Sequence, residues 1–294
     1  MIPALRVLPL ACALACALAV LLPALPAFAG QGRLLATGGG AQIEGAAGGG
    51  IVPWAVLSGY GTDTQHGGAA FYTRVDTGDY ALDAYGASYT FRNRVELSFA
   101  RQSFDLGELQ RQLTLPWDAL EQDIYGMKVR LAGDLVYNHL PQISVGVQHK
   151  RLRDGALPLA VGAREDRGTD AYVSASKLFL DAAGGYQLLL NATLRSTSAN
   201  QAGLLGFGGD RRADRQWVWE GSAAVLLDPR LAIGVEYRQK PDNLGFARED
   251  DWRDVFIAWF PNKQLAVVGA WADLGSIATL DDQRGAYVSV QWSF

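Results

Sequence analysis

From Gly67 to the C-terminus the chain repeats one pattern, in which segments of about ten residues alternate apolar and polar side chains and are separated by turn residues. Alternation with a period of two sends successive side chains to opposite faces of an extended strand. The clearest case sets Leu231, Ile233, Val235 and Tyr237 on one face and Ala232, Gly234, Glu236, Arg238 and Lys240 on the other. Tyr125, Met127, Val129 and Leu131 alternate with Lys128 and Arg130 in the same way, and Leu188, Leu190, Ala192 and Leu194 with Asn191, Thr193 and Arg195. One face suits hydrocarbon and the other water. Helical periodicity competes almost nowhere.

Twelve such strands are predicted, near residues 67–75, 80–91, 94–102, 122–132, 142–151, 169–180, 186–196, 216–227, 231–240, 251–260, 264–274 and 285–294. Their connections alternate in length. Arg92-Asn93, 182–185, 228–230 and 261–263 are tight, whereas 103–121, 152–168, 197–215, 241–250 and 275–284 are long. Short periplasmic turns facing longer external loops are the pattern of an outer-membrane barrel. The predicted fold class is therefore all-β, a transmembrane antiparallel β-barrel of 12 to 14 strands occupying residues 67–294. Residues 53–60 also read as a strand, and parity then requires another at 33–44, with Gly45 and Gly48 to Gly50 forming the turn. Fourteen strands is the preferred count. The alternative is that this Gly-rich N-terminal segment, residues 30–66, is a plug inside the lumen.

The first 29 residues change the compartment. Arg6 supplies a positive start, residues 7–25 are apolar, and Ala27-Phe28-Ala29 is a small-x-small cleavage site, so residues 1–29 read as a signal peptide. Cys12 and Cys16 lack the preceding box of a lipoprotein and fall in the segment to be removed, leaving the mature chain without disulfide, thiolate metal site or cysteine nucleophile. Arg6 is the only charged residue lost, so the mature balance is one unit more negative than the full chain's −4. An acidic chain lacks the basic footprint of a nucleic-acid binder, and no nucleic-acid partner is expected. No later run is apolar and long enough for a membrane helix.

The last strand places Ala286, Val288, Val290, Trp292 and Phe294 on one face. Val288, Val290, Trp292 and Phe294 resemble the assembly signal of bacterial outer-membrane proteins, which implies the barrel-insertion machinery as a partner during assembly. Trp259, Phe260 and Trp292 near one set of strand ends, and Trp217, Trp219, Trp252 and Trp271 near the other, fit aromatic belts in contact with outer-membrane lipid. The alternation turns Glu96, Lys128, Arg130, Lys150, Arg195, Glu220, Glu236 and Arg238 inward as lumen-lining candidates. If Leu227 opposes Leu231, Glu220 faces Arg238. Such mixed charge fits a structural ion-pair network as well as an aqueous path. In the hairpin 256–272, pairing Phe260 with Gln264 turns Phe256, Ala258, Ala266, Val268, Ala270 and Ala272 inward, an apolar patch that needs a cover.

Catalytic chemistry is thin. His66 and His139 fall in connections, and His149 has no serine clearly opposite it. No metal-ligand spacing appears; Asp250-Asp251 and Asp281-Asp282 read as solvated loop charge and at best as weak calcium candidates. Gly38 to Gly40 and Gly48 to Gly50 lack the Gly-Lys-Ser/Thr ending of a phosphate loop, so no cofactor is implied. Residues 210–215, rich in arginine, fall in an external loop where they would either be solvated or meet lipopolysaccharide phosphates.

The segments Gln42 to Gly50 with Val52-Pro53-Trp54, Ala70-Phe71-Tyr72-Thr73-Arg74 and Arg94 to Gln102 resemble an uncharacterised proteobacterial outer-membrane family, the domain of unknown function 3034. That resemblance spans essentially the whole mature chain and implies the compartment but no activity. The leading functional reading is a passive channel or uptake protein for small solutes. Its rivals are a closed barrel with a structural or surface role, and a lipid hydrolase built around His149.

Overall fold

The computed structural model describes residues 30–107, 110–111, 116 and 118–294. The signal-peptide reading of residues 1–29, with Arg6, Cys12 and Cys16, lies outside them. A two-stranded hairpin comes first, β1 (Gly40–Ala41) with β2 (Ala47–Gly48). Twelve long strands follow: β3 (His66–Asp76), β4 (Ala81–Phe91), β5 (Val95–Asp105), β6 (Ala119–Ala132), β7 (Gln142–Leu152), β8 (Arg167–Ala183), β9 (Tyr186–Thr197), β10 (Gln216–Asp228), β11 (Leu231–Arg238), β12 (Trp252–Trp259), β13 (Leu265–Asp273) and β14 (Arg284–Ser293). Each pairs antiparallel with its neighbour in sequence, and β14 pairs with β3 from Ala286↔Asp76 to Ser293↔Ala69 to close the ring. Closure leaves the barrel without an edge strand.

The tight turns have the chemistry that closure demands. Arg92 and Asn93, between β4 and β5, both sit at positive φ (49° and 47°), as do Gly184 and Gly185 between β8 and β9. Two consecutive positive-φ residues make the hairpin turn whose twist matches that of the flanking strands.

The barrel has twelve strands, not the fourteen that parity with residues 33–44 and 53–60 predicts. Residues 53–60 form no strand beyond an isolated bridge from Gly48 to Pro53, and β1 and β2 pair only with each other. The physical reason is composition. Ile43, Ile51, Val52 and Leu57 are all buried, so this stretch has no face to offer solvent or lipid. Pro53 has no N–H to donate to a ladder, and Gly45 turns the chain at φ +95°.

The alternation along the barrel strands is that read from the sequence. On β12, Val255 and Ile257 are 55% and 51% exposed, whereas Asp254, Phe256 and Ala258 are buried. Glu220 pairs with Arg238 in the β10–β11 register. Between β12 and β13 the register is two residues from the one expected, with Trp259 opposite Val267. A shift of two preserves the face, so Phe256, Ala258, Ala266 and Ala272 still point inward. Two belt aromatics do not belong to a belt: Trp252 and Phe260 are buried inside. Trp252 shares the inward parity of Asp254, and its ring packs 4.8 Å from the Lys240 ammonium and 5.4 Å from the Arg238 guanidinium. Trp217, Trp219, Trp259 and Trp271 are exposed on the outer surface.

Candidate functional site

The N-terminal segment runs through the lumen and is held there chiefly by its backbone. Glu96 and Lys128 face each other on β5 and β6. Their 3.4 Å pair is almost completely buried. Lys128 Nζ donates to the carbonyls of Ala47 (2.7 Å), Trp54 (3.1 Å) and Val56 (2.7 Å), while Glu96 accepts the N–H groups of Ala47 (3.1 Å) and Ser58 (2.8 Å). Short polar side chains from β7, β8 and β9 continue the cradle. Gln142 and Ser144 donate to the carbonyl of Ala55, Thr193 donates to that of Pro53, and Ser176 Oγ accepts the N–H of Ala55. A segment with little regular structure needs such partners, because buried N–H and C=O groups left unpaired are costly.

A second anchor is ionic. Glu44, fully buried, contacts Lys150 Nζ, Arg238 Nη2 at 2.8 Å and Arg195 Nη1 at 3.4 Å. Lys150 also meets Asp170 at 2.8 Å, Arg195 meets Asp170 at 3.3 Å and pairs with Glu220, and Arg238 lies 3.7 Å from Glu220. Three cations thus face three carboxylates. Burial disfavours ionisation of Glu44, but Arg238, Lys150 and Arg195 outweigh it and hold the carboxyl well below the usual carboxylate range.

Seven of the eight lumen candidates enter these two anchors or touch the N-terminal segment directly. Glu236, the seventh, accepts the N–H of Ile51 at 2.8 Å and the Ser222 hydroxyl at 2.6 Å, while Trp54 Nε1 donates to Ser222 Oγ at 2.8 Å. Arg130 stands apart: it binds the carbonyl of Gly133 at 2.6 Å and Asp134 at 3.4 Å in the β6–β7 connection. Glu44 and Asp170 were not among the candidates. Asp170 carries the inward parity of Tyr172 and Ser174 and was readable by the same alternation. For Glu44 the only signal was a lone carboxylate in a glycine-rich apolar stretch.

The long loops cover the other end of this N-terminal segment. Residues 198–208 fold over it; Ala202 O accepts from Lys150, Gln201 N–H donates to Glu249, and Glu249 pairs with Lys240 at 2.9 Å. Among the described residues two apolar cavities lie on the two sides of this segment, about 170 Å³ under the long loops and about 430 Å³ toward the short turns.

The outer surface shows little chemistry. His149 is exposed on the outer face of β7, its Nδ1 2.9 Å from Thr169 Oγ1. His66 contacts the Tyr89 hydroxyl. Asp250 and Asp281 are tied to Ser276, and Arg284 reaches Asp282. Among the described residues no group of three or more His, Asp or Glu could hold a metal ion. In the arginine-rich loop, Arg211 pairs with Asp242 and Arg212 donates to Gln216. On β14, Val288, Val290 and Trp292 face outward, and Phe294 exchanges two 2.9 Å backbone hydrogen bonds with Gly68 at the closing seam.

Among solved structures the chain is similar to the KdgM porin, at 12% identity over 77% of this chain and 99% of that one, with a TM-score of 0.49. It is also similar to the NanC porin (8% identity, 77% and 98% covered, TM-score 0.46). The outer membrane protein Omp33 of Acinetobacter baumannii is a third (9% identity, 79% and 98% covered, TM-score 0.44). These are loose likenesses of shape. No curated protein matches the chain in sequence. The family described as protein of unknown function (DUF3034) matches residues 37–291, and the chain belongs to that family.

Proposed function

We propose that this chain is an outer-membrane β-barrel for the uptake of small solutes, with residues 30–60 serving as its luminal plug. The observation that carries the reading is the inversion of the ordinary pattern of burial: Leu97, Tyr125, Val147, Leu190, Ile233 and Ile257 are exposed around the outside, while Glu44, Lys128, Lys150 and Arg195 are buried within. A water-soluble domain does the reverse. In hydrocarbon, a closed sheet is the one all-β arrangement that satisfies every backbone group. Most of the strands also have the nine to eleven or more residues that a tilted crossing needs.

Two measurements test the compartment. The mature protein is expected in the outer-membrane fraction; recovery from the soluble periplasm would overturn the reading. Ile257→Arg, on the outward face of β12, is expected to lower unfolding stability in lipid vesicles by about 2–4 kcal/mol, the cost of arginine near a bilayer midplane. A barrel surrounded by water would tolerate that arginine with little change.

A closed barrel with a structural role is the second reading, and the charge-balanced anchor around Glu44 favours it, since matched buried charges hold a plug without providing a path. The intact protein is then silent in planar bilayers on either reading. Removal of the plug bears on whether a path exists beneath it. The outward Val288, Val290, Trp292 and Phe294 remain the proposed signal for the insertion machinery, and outer-membrane lipid the proposed surroundings.

A further inference from the structure

The plug is fastened unevenly. Its ion pairs and most of its hydrogen bonds run to β5 through β11. Toward β12, β13, β14, β3 and β4 it bonds through Ser58 to Thr90, through the Gly39 carbonyl to Gln291 and through the Gly30 N–H to the His66 carbonyl, and its other neighbours there are largely apolar. Ile43 and Ile51 look across the outer cavity toward Val75, Leu82, Ala272 and Tyr287. That cavity, about 170 Å³, is lined by carbon almost throughout, with Phe104, Leu205, Trp252 and Ile277 among its walls. The inner cavity, about 430 Å³, is walled by Leu35, Leu178, Leu189, Ala224, Phe256 and Phe260. Packed interiors keep few voids larger than a water molecule, and an apolar cavity near 150 Å³ stays dry and takes up benzene.

One peptide divides the two. Gly50 borders the inner cavity, Ile51 the outer, and Tyr287 both. The approach is close: a Cβ on Gly50 would stand 3.1 Å from the Tyr287 ring. The segment is steadied from the polar wall by Glu236, which accepts the N–H of Ile51, and by Arg238, which donates to the Ile51 carbonyl at 3.1 Å. Within the plug the Ile43 N–H donates to the Gly50 carbonyl at 3.0 Å and Gln42 Nε2 to that of Ile51 at 3.3 Å.

Resting on the uptake reading above, we propose that the solute class is small apolar molecules of the size of a single aromatic ring. The outer and inner cavities are successive stations, and Gly50, Ile51 and Tyr287 form the partition between them. A polar or charged solute entering either station would leave its hydrogen bonds in water and find few replacements, so it is excluded by desolvation. An apolar one loses only its contact with water. Passage needs the Gly50–Ile51 peptide to separate from Tyr287, which breaks van der Waals contact and leaves the anchors at Lys128 and Glu44 in place.

The test uses the full mature barrel refolded in detergent, with toluene as the probe. Ala272→Phe fills the outer station and Ala258→Phe the inner; a double variant carrying both measures toluene dissolved in the micelle. Saturable binding by the wild type beyond that baseline is expected, with roughly tenfold or greater weakening in Ala272→Phe. Equal uptake by the wild type and the double variant would overturn the proposal. Tyr287→Ala, which merges the stations, is expected to gain binding of two-ring naphthalene by about tenfold, and no gain would remove the partition. If a phenylalanine variant does not refold, xenon chemical shifts on the wild type decide, a saturable shift supporting the stations and a strictly linear one overturning them. Absent toluene binding with a conducting plug-deleted barrel would refute this solute class and leave the barrel a solute path. Toluene binding without any such conductance would refute the path and leave the cavities as ligand sites.

Discussion

Deleting residues 31–52 is expected to turn a silent barrel into a conducting one, with discrete current steps in planar bilayers where the intact protein shows none. The barrel should survive the deletion, because its twelve strands pair only among themselves and β1 and β2 contribute to none of its ladders. The deletion removes Glu44, Ile43, Ile51 and the glycines that fill the middle of the lumen. Residues 53–58 keep their partners Lys128, Ser144, Ser176 and Thr193 on the polar wall. The opening therefore forms beside Phe256, Ala272 and Tyr287. Lys150, Arg195 and Arg238 are left facing Asp170 and Glu220, one cation in excess, and such a site draws in water and anions. Conductance that stays at zero with the barrel intact would count against residues 31–52 as the obstruction.

Glu44→Ala is the sharper test of how the plug is held. Removing one partner from a buried charge cluster costs about 3–5 kcal/mol, because the remaining charges stay desolvated without compensation. Here three side chains lose that partner at once, and the loop containing Ala202 loses part of its support through Lys150. The midpoint of denaturant unfolding should fall accordingly, and amides of residues 40–51 should exchange hydrogen far faster while those of the barrel strands change little. Exchange of residues 40–51 as slow as in the parent would show that the carboxylate is not an anchor. The pH dependence follows in sign. A carboxyl held well below its ordinary 4.5 in the folded state contributes stability that is complete above that value and is lost as the pH falls toward the depressed one. Acid should therefore loosen the plug of the parent below about pH 4.5, and Glu44→Ala should abolish that component.

The residues least legible in advance share a feature. Pro53 to Tyr60 contains Trp54, Val56 and Tyr60 at spacings that fit a strand, and nothing local says that its backbone will be satisfied by Lys128 and Thr193 instead of by a neighbouring strand. Trp252 and Phe260 look like belt residues by position near strand ends, yet Trp252 takes the inward parity of β12 and Phe260, the residue after that strand, is likewise buried. There the face a side chain occupies outweighs its depth.

What the sequence determined by itself was whatever depends on a period of two: the twelve segments that became barrel strands, the alternation of short and long connections, and the face each of their side chains takes. These properties are local, since neighbouring strands register through short turns and each side chain's face follows from its parity. That the ring closes with those twelve and takes no strand from residues 33–60 was decided by the structure. The lumen was decided only by the tertiary structure. Glu44 meets Arg238 across 194 residues and Lys150 across 106. A closed ring has an interior volume that its strands cannot fill, and which segment enters it depends on the shape and charge of the whole ring, information that no single stretch of the chain contains.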